Sequence, residues 1–168
     1  MKYFPFFMEL SKQSVLLIGG GEVAERKIDL LLKANAAVTV VSPEFTNYIE
    51  ELFVNKNLKP IKARYDIKHM ESEHFAFVIA ATNDEQLNEK IASDANKKNI
   101  LVNVVDKPKI CDFIFPSILE RGPITVAVST GGSSPVLARM LRTKLETLIP
   151  GAYGRLAKIV SDNRIPVR

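Results

Sequence analysis

The stretch Ser14–Ala24, SVLLIGGGEVA, constrains the fold more than any other part of the chain. SVLLI is an almost wholly aliphatic run, as a parallel strand covered on both faces requires. Three glycines interrupt it. A charged stretch follows over Glu22–Ala34, with Val23, Ala24, Ile28, Leu31 and Leu32 at helical spacing. Gly19, Gly21 and Ala24 match G-x-G-x-x-A at this strand-to-helix junction. The first glycine permits the tight turn, the second lets backbone approach a pyrophosphate, and Ala24 keeps the helix close to the sheet. The helix N-terminus offers unpaired N–H groups to phosphate. The pattern predicts a dinucleotide-binding turn at Gly19, Gly20 and Gly21; the competing reading is a tight turn in the same fold with no ligand.

The same alternation continues. Val38–Val41 reads as a second strand, and Phe45, Tyr48, Ile49, Leu52 and Phe53 as an amphipathic helix. Leu58–Ala63 is a weaker third strand, and Phe75–Ala81 a fourth. Thr82-Asn83-Asp84-Glu85 has the form of a capping box opening a helix to about Lys98, and Ile100–Val105 is a fifth strand. Strands alternating with helices predict an α/β fold with a Rossmann-like, mostly parallel, doubly wound sheet. After Asp106 the rhythm changes. Phe113–Leu119 and Ile124–Val128 read as two strands joined in a hairpin by Glu120-Arg121-Gly122-Pro123. A helix follows STGGSSP, with Val136, Leu137, Met140, Leu141, Leu145 and Leu148 on one face and Pro135 at its start. The tail 151–168 reads as short, polar and partly helical. Residues 1–112 are expected to form the dinucleotide-binding domain and 113–168 a small hairpin-plus-helix region. A hairpin and one long helix cannot bury their own apolar residues, so a homodimer is expected.

Composition narrows the class. The chain has 168 residues, 46% hydrophobic and 25% charged, enough for a sizeable core. It has no apolar run near the ~18 residues that cross a membrane, and its N-terminus makes a poor signal peptide. Cys111 is the one cysteine, which excludes an internal disulfide and fits a cytoplasmic protein. Cys111 reads as structural rather than nucleophilic. A net charge of +4 suits a small anionic ligand better than nucleic acid. His69 and His74 are five apart and share no helix face, and no Cys, His or Asp set has zinc spacing, so no metal site is expected.

Several residues carry candidate chemistry. The acid that holds an adenine ribose normally ends the second strand, about 20 residues after the glycines. Here the sequence reads Ser42-Pro43-Glu44: Ser42 is a weaker ribose partner, and Glu44 comes two residues late. No arginine stands nearby for a 2′-phosphate, which points to NAD over NADP. Asp106 follows the fifth strand at the edge where open α/β sheets bind ligands. It reads either as a turn-starting aspartate or as a carboxylate near a nicotinamide, able to take a proton. Thr82 and Asn83 end the fourth strand at the same edge, where they cap the next helix and are compatible with cofactor contact. Ser129, Thr130, Gly131, Gly132 and Ser133 form a second glycine-and-hydroxyl loop, followed by Arg139 and Arg142. That loop is either an anion site or a plain N-cap with a solvated basic face.

FPFFMEL, IGGGEVAERK, AATND, NVVDKPKICDFIFPSI and VAVSTGGSSPVLARMLRTKLE together resemble the N-terminal module of siroheme synthase, which also occurs as a stand-alone precorrin-2 dehydrogenase, sometimes doubling as sirohydrochlorin ferrochelatase. The resemblance runs from about residue 3 to 150. It implies NAD-dependent oxidation of precorrin-2 to sirohydrochlorin and an intertwined homodimer. It places Asp106 on the family's functional aspartate, and Glu22-Val23 and Pro43-Glu44 on its NAD-contact positions. It supplies an anionic tetrapyrrole as the partner for Lys107, Lys109, Arg139 and Arg142, and puts Thr130 where some relatives carry a phosphorylated serine. Such relatives run tens of residues beyond position 150, whereas 18 remain here, so a shorter substrate wall is expected. No methyltransferase segment follows, so precorrin-2 is expected from another protein. The rival readings are a non-catalytic NAD-sensing or tetrapyrrole-binding module, and a chelatase that inserts iron or cobalt without NAD.

Overall fold

The computed structural model describes residues 2–55 and 57–163. Phe4–Phe113 forms one compact unit, and the described residues of 2–3 and 114–163 form another.

In the larger unit, β1 (Ser14–Ile18), β2 (Ala37–Ser42), β3 (Leu58–Lys62), β4 (Phe75–Ala80) and β5 (Leu101–Val104) make a wholly parallel sheet in the order β3-β2-β1-β4-β5. The order reverses direction at β1, the Rossmann arrangement. Leu16 and Ile18 of β1 join Val78, Ala80, Val102 and Val104 in a buried cluster with Ile91, Ala92 and Ala95 of α3 (Glu85–Lys97). The alternate strand residues Val15, Leu17, Val38, Val40 and Ile79 are also buried and turn to the other face. There α1 (Glu22–Lys33) contributes its buried Ala24, Ile28 and Leu31. Burying each such Leu, Ile or Val side chain contributes about 1.5–3 kcal/mol, so the aliphatic runs both choose and hold the sheet.

Both long helices of the larger unit end the same way. Asn35 and Asn99 adopt φ of 56° and 54°, the left-handed conformation that asparagine tolerates. After α1, Asn35 N–H donates to Leu32 O and Ala36 N–H to Leu31 O; after α3, Asn99 N–H donates to Asn96 O and Ile100 N–H to Ala95 O. These paired bonds are Schellman caps, and each turns the chain straight into the next strand.

The helix expected over Phe45–Phe53 is shorter: α2 spans Asn47–Glu51 and a 3-10 turn takes Leu52–Val54. Thr46 caps it, its Oγ1 accepting from Ile49 N–H, and the Phe45 and Phe53 rings meet edge to face at 5.2 Å. The expected capping box at Thr82–Glu85 is a correction as well. Asp84 is the N-cap of α3, its side chain accepting from Leu87 N–H at 3.0 Å. Thr82 is drawn away by Asn88, to whose Oδ1 its hydroxyl donates at 2.8 Å. At the sheet edges, β3 (LKPIK) carries Pro60 opposite Val40, and Asp112 runs beside β5. Asp112 N–H donates to Val102 O, and its carboxylate accepts from Val102 N–H at 2.8 Å.

In the smaller unit β6 (Ser117–Arg121) pairs antiparallel with β7 (Ile124–Val128) across Gly122-Pro123. β6 starts four residues later than expected. Phe113 O is occupied by Asn103 Nδ2 at 2.9 Å, and Pro116 has no N–H for a ladder. α4 (Pro135–Leu148) is capped by Ser134, whose hydroxyl accepts from Leu137 N–H. The tail is partly helical as expected but not polar: α5 (Gly151–Asp162) is amphipathic, while 164–168 lie outside the described residues. α5 packs closely on the hairpin, since a Cβ at Gly154 would come within 2.4 Å of Arg121 O. Val136, Leu137, Met140, Leu141 and Leu148 of α4 and Tyr153, Leu156, Ile159 and Val160 of α5 stay exposed. Among the described residues no helix is long and apolar enough to cross a membrane.

Candidate functional site

The three glycines do different work. Gly19 has φ of +132°, and a Cβ there would lie 2.2 Å from Ala81 O, so the turn is pressed against the end of β4. A Cβ on Gly20 would lie 2.0 Å from Glu44 O and 2.7 Å from Ser42 Oγ, so this residue is packed against the end of β2. Gly21 meets nothing within 4 Å. It is the N-cap of α1 and gives the helix no side-chain cap. The first bond back to it comes from Glu25 N–H, which leaves the N–H groups of Glu22, Val23 and Ala24 outside the helical ladder. An uncapped N-terminus facing open space, with a half-unit of positive dipole behind it, is a ready anion site.

Ser42 is buried beneath Gly20, while Pro43 and Glu44 are exposed at the carboxyl end of β2. Thr82 and Asn83 follow β4 at the same edge. Asn83 is exposed, and Thr82 is held by Asn88, whose amide donates to Thr82 O at 2.9 Å. Asn88 was not picked out in the sequence, although a polar residue on the buried stripe of Ile91, Ala92 and Ala95 is the signal for it.

Asp106 is exposed just beyond β5, with φ of +60°. Lys107 N–H donates to Val104 O at 3.3 Å, closing a turn in which Asp106 is the third residue and not the first. Lys107 Nζ lies 2.7 Å from Glu89 Oε1 and 3.1 Å from Glu85 Oε2, and these two carboxylates raise its pKa. The charge expected to meet substrate is thus already matched within the chain. Cys111 packs under the same turn: Val104 N–H donates to Sγ at 3.1 Å, and Sγ lies 3.3 Å from Lys107 O.

Lys27 was also missed. It stands on the buried stripe of α1, between Ala24 and Leu31. Burial lowers its pKa, and attraction to Asp106 and Cys111 works against that. The helix that starts at the glycine turn therefore places an amine within electrostatic reach of Asp106.

In the smaller unit, Gly131 and Gly132 both have positive φ, 65° and 85°. Thr130 Oγ1 accepts from Ser134 N–H at 3.0 Å and donates to Ser134 O, so its hydroxyl is committed to the loop. Gly131 N–H donates to Ser129 Oγ, and Ser133 donates to Thr130 O. Ser129, Thr130, Gly132 and Arg139 line a cavity of about 240 Å³ with Phe115 and Pro116. Arg139 and Lys109 are exposed and make no ion pair among the described residues, whereas Arg142 is paired with Glu146 on its own helix. A larger cavity, about 470 Å³, opens by Phe75 and Leu101 at the amino ends of β4 and β5, the edge away from the glycines. No group of three or more His, Cys, Asp or Glu able to hold a metal occurs among the described residues.

Comparison with known proteins agrees with this geometry. The family model for putative NAD(P)-binding proteins matches residues 6–117, and that for the sirohaem biosynthesis protein central segment matches 121–148. The chain is 47% identical over its full length to siroheme synthase of Psychrobacter sp. (strain PRwf-1) and 48% identical to that of Methylococcus capsulatus, covering 34% and 35% of those proteins. It thus spans about a third of the relatives it matches. Among solved structures it is similar to SirC, a precorrin-2 dehydrogenase, with a TM-score of 0.81 and 26% identity, covering 99% of this chain and 83% of that one. The chain belongs to the putative NAD(P)-binding family, in the form that siroheme synthases and precorrin-2 dehydrogenases share.

Proposed function

We propose that this chain oxidises precorrin-2 to sirohydrochlorin with NAD as the acceptor, a step toward siroheme. The observation that carries the reading is Asp106: an exposed carboxylate in a left-handed turn, on the carboxyl edge of the sheet that also carries the glycine turn. Likeness to siroheme synthases and to SirC supports it.

The chain fits the cofactor. Gly21 leaves open the space a pyrophosphate needs, and the N–H groups of Glu22 and Val23 point out of an uncapped helix. Glu44 and the backbone at Ser42-Pro43 end β2 where the adenine ribose is held in such folds. Thr82 and Asn83 border the same edge. Glu44 repels a 2′-phosphate and no arginine adjoins it in sequence, which favours NAD over NADP. When bound, the nicotinamide accepts hydride from the saturated bridge of the substrate. Asp106 takes up the proton that leaves as that bond is oxidised. Within the larger unit Lys109, and within the smaller one Arg139 with the Ser129–Ser133 loop, each carry donors suited to a carboxylate of the tetrapyrrole. Residues 1–112 act as the NAD-binding domain. Residues 113–168 act as the dimerisation region, in which the exposed apolar residues of α4 and α5 meet a second copy.

The test is to mix the protein with precorrin-2 and NAD and follow NADH and sirohydrochlorin absorbance together. Turnover that needs both supports the reading; NAD binding with no turnover above background rejects it in favour of a non-catalytic module.

A further inference from the structure

We propose that Lys107 is a positioning residue for Asp106, not an anchor for substrate carboxylates. This deepens, and rests on, the dehydrogenase reading above. The turn from Val104 to Lys107 is fastened at two points. On the outside, the Lys107 ammonium bridges Glu85 and Glu89, at 3.1 and 2.7 Å. These acids are four residues apart on α3 and so share a face, which makes them a two-pronged receptor for one cation. On the inside, the Cys111 thiol accepts from Val104 N–H at 3.1 Å and lies 3.2 Å from Val104 O and 3.3 Å from Lys107 O. Asp106 sits between the two fastenings with φ of 60°, a left-handed conformation that aspartate tolerates in a turn but that is less favourable than ordinary backbone angles. Freeing either fastening lets the turn relax toward ordinary backbone angles and swings the carboxylate away.

Charge argues the same way. An ammonium flanked by two carboxylates presents little net positive potential to an incoming anion, and a substrate carboxylate approaching Lys107 also meets Glu85 and Glu89. Exposed Lys109, on the same unit and with no ion pair among the described residues, meets that need instead.

Two variants give opposite results under the two roles. In Glu85→Gln with Glu89→Gln, Lys107 remains but loses its receptor. If Lys107 positions Asp106, kcat falls about three- to tenfold, as expected from losing two partly exposed ion pairs, while the KM for precorrin-2 stays within about twofold. Lys107→Met gives the same pattern. If Lys107 anchors substrate, the double variant keeps its kcat and its KM stays or falls, whereas Lys107→Met raises KM; that outcome overturns the proposal. Amide hydrogen exchange provides a readout that needs neither substrate nor cofactor. The Val105, Asp106 and Lys107 amides are expected to exchange several-fold faster in both variants, with the β1 and β4 amides unchanged. Parent-like exchange at all three overturns the tether. A parent protein without turnover removes the dehydrogenase reading alone, and the exchange result still decides the tether.

Discussion

Gly21→Ala puts a methyl group at the N-cap of α1, where an added Cβ meets no atom within 4 Å and φ is −96°, open to any residue. Alanine is a poorer N-cap than glycine by roughly 0.5–1 kcal/mol. It also restricts the unfolded chain, which returns about 0.4–1 kcal/mol. The two offset one another, so the variant should melt within about 2 °C of the parent, at 2–4 °C per kcal/mol for a domain of this size. The methyl group does occupy the space through which a pyrophosphate reaches the Glu22 and Val23 N–H groups. A steric penalty of about 1–3 kcal/mol weakens NAD by roughly five- to 150-fold. Gly19→Ala is the control of opposite sign. Its φ of +132° and a 2.2 Å approach to Ala81 O together cost about 3 kcal/mol or more, a fall of roughly 6–12 °C. Thermal melts and NAD titration by calorimetry on the two variants decide the matter. Gly21→Ala that binds NAD like the parent, or that melts as low as Gly19→Ala, refutes the assignment of the open glycine to the cofactor.

Asp106→Ala should lower kcat by about 10²–10⁴-fold while NAD affinity stays within twofold, since the carboxylate handles a proton and not the dinucleotide; full activity in a coupled absorbance assay rejects that role. Asn88→Ala removes the partners of the Thr82 N–H and carbonyl, leaving the hydroxyl to Asp84, and should cost about 1–3 kcal/mol, visible as a melting point lower by roughly 2–12 °C. Lys27 titrates lower in the folded chain than its ordinary value of 10.5, chiefly through burial, so the folded state sheds that proton before the unfolded state does. Its ammonium therefore weighs against folding at neutral pH, and this burden lifts as pH rises toward 10.5. Lys27→Met should melt higher than the parent at pH 7, with the difference closing at alkaline pH; a lower melting point at pH 7 contradicts the argument.

The sheet was legible because most of its strands are short runs rich in aliphatic and β-branched residues, from SVLLI to FAFVIA, and covering both faces demands no finer pattern; LKPIK, with two lysines and a proline, was the weakest signal. Helix ends were harder to read. The Asn35 and Asn99 caps depend on a single residue adopting positive φ, which no periodicity reports. Thr82-Asn83-Asp84 offered three capping residues in a row, and the choice of Asp84 followed from Asn88 claiming Thr82 across six residues. The glycine turn and Asp106 could be placed from sequence because the carboxyl edge of a parallel sheet is fixed by topology. The surroundings of Asp106 could not. Lys107 looked available to substrate because Glu85 and Glu89 lie more than a dozen residues away in sequence, on the helix between β4 and β5. Lys27 was hidden by the opposite effect: a lysine in an ERK triplet reads as solvated until the stripe beneath it is traced.

Pro60 and Asp112 have one more effect. The outer rim of a sheet is a row of unpaired backbone groups onto which a foreign strand can zip, and such rims seed fibrils when they are long and apolar. On one rim Pro60 withholds an N–H, between Lys59 and the charged Lys62. On the other, Asp112 occupies both the N–H and the carbonyl of Val102 without becoming a strand itself. The apolar strands between these two rims are thereby protected from lateral growth. Association through this sheet is disfavoured, while the exposed apolar residues of α4 and α5 remain available for packing.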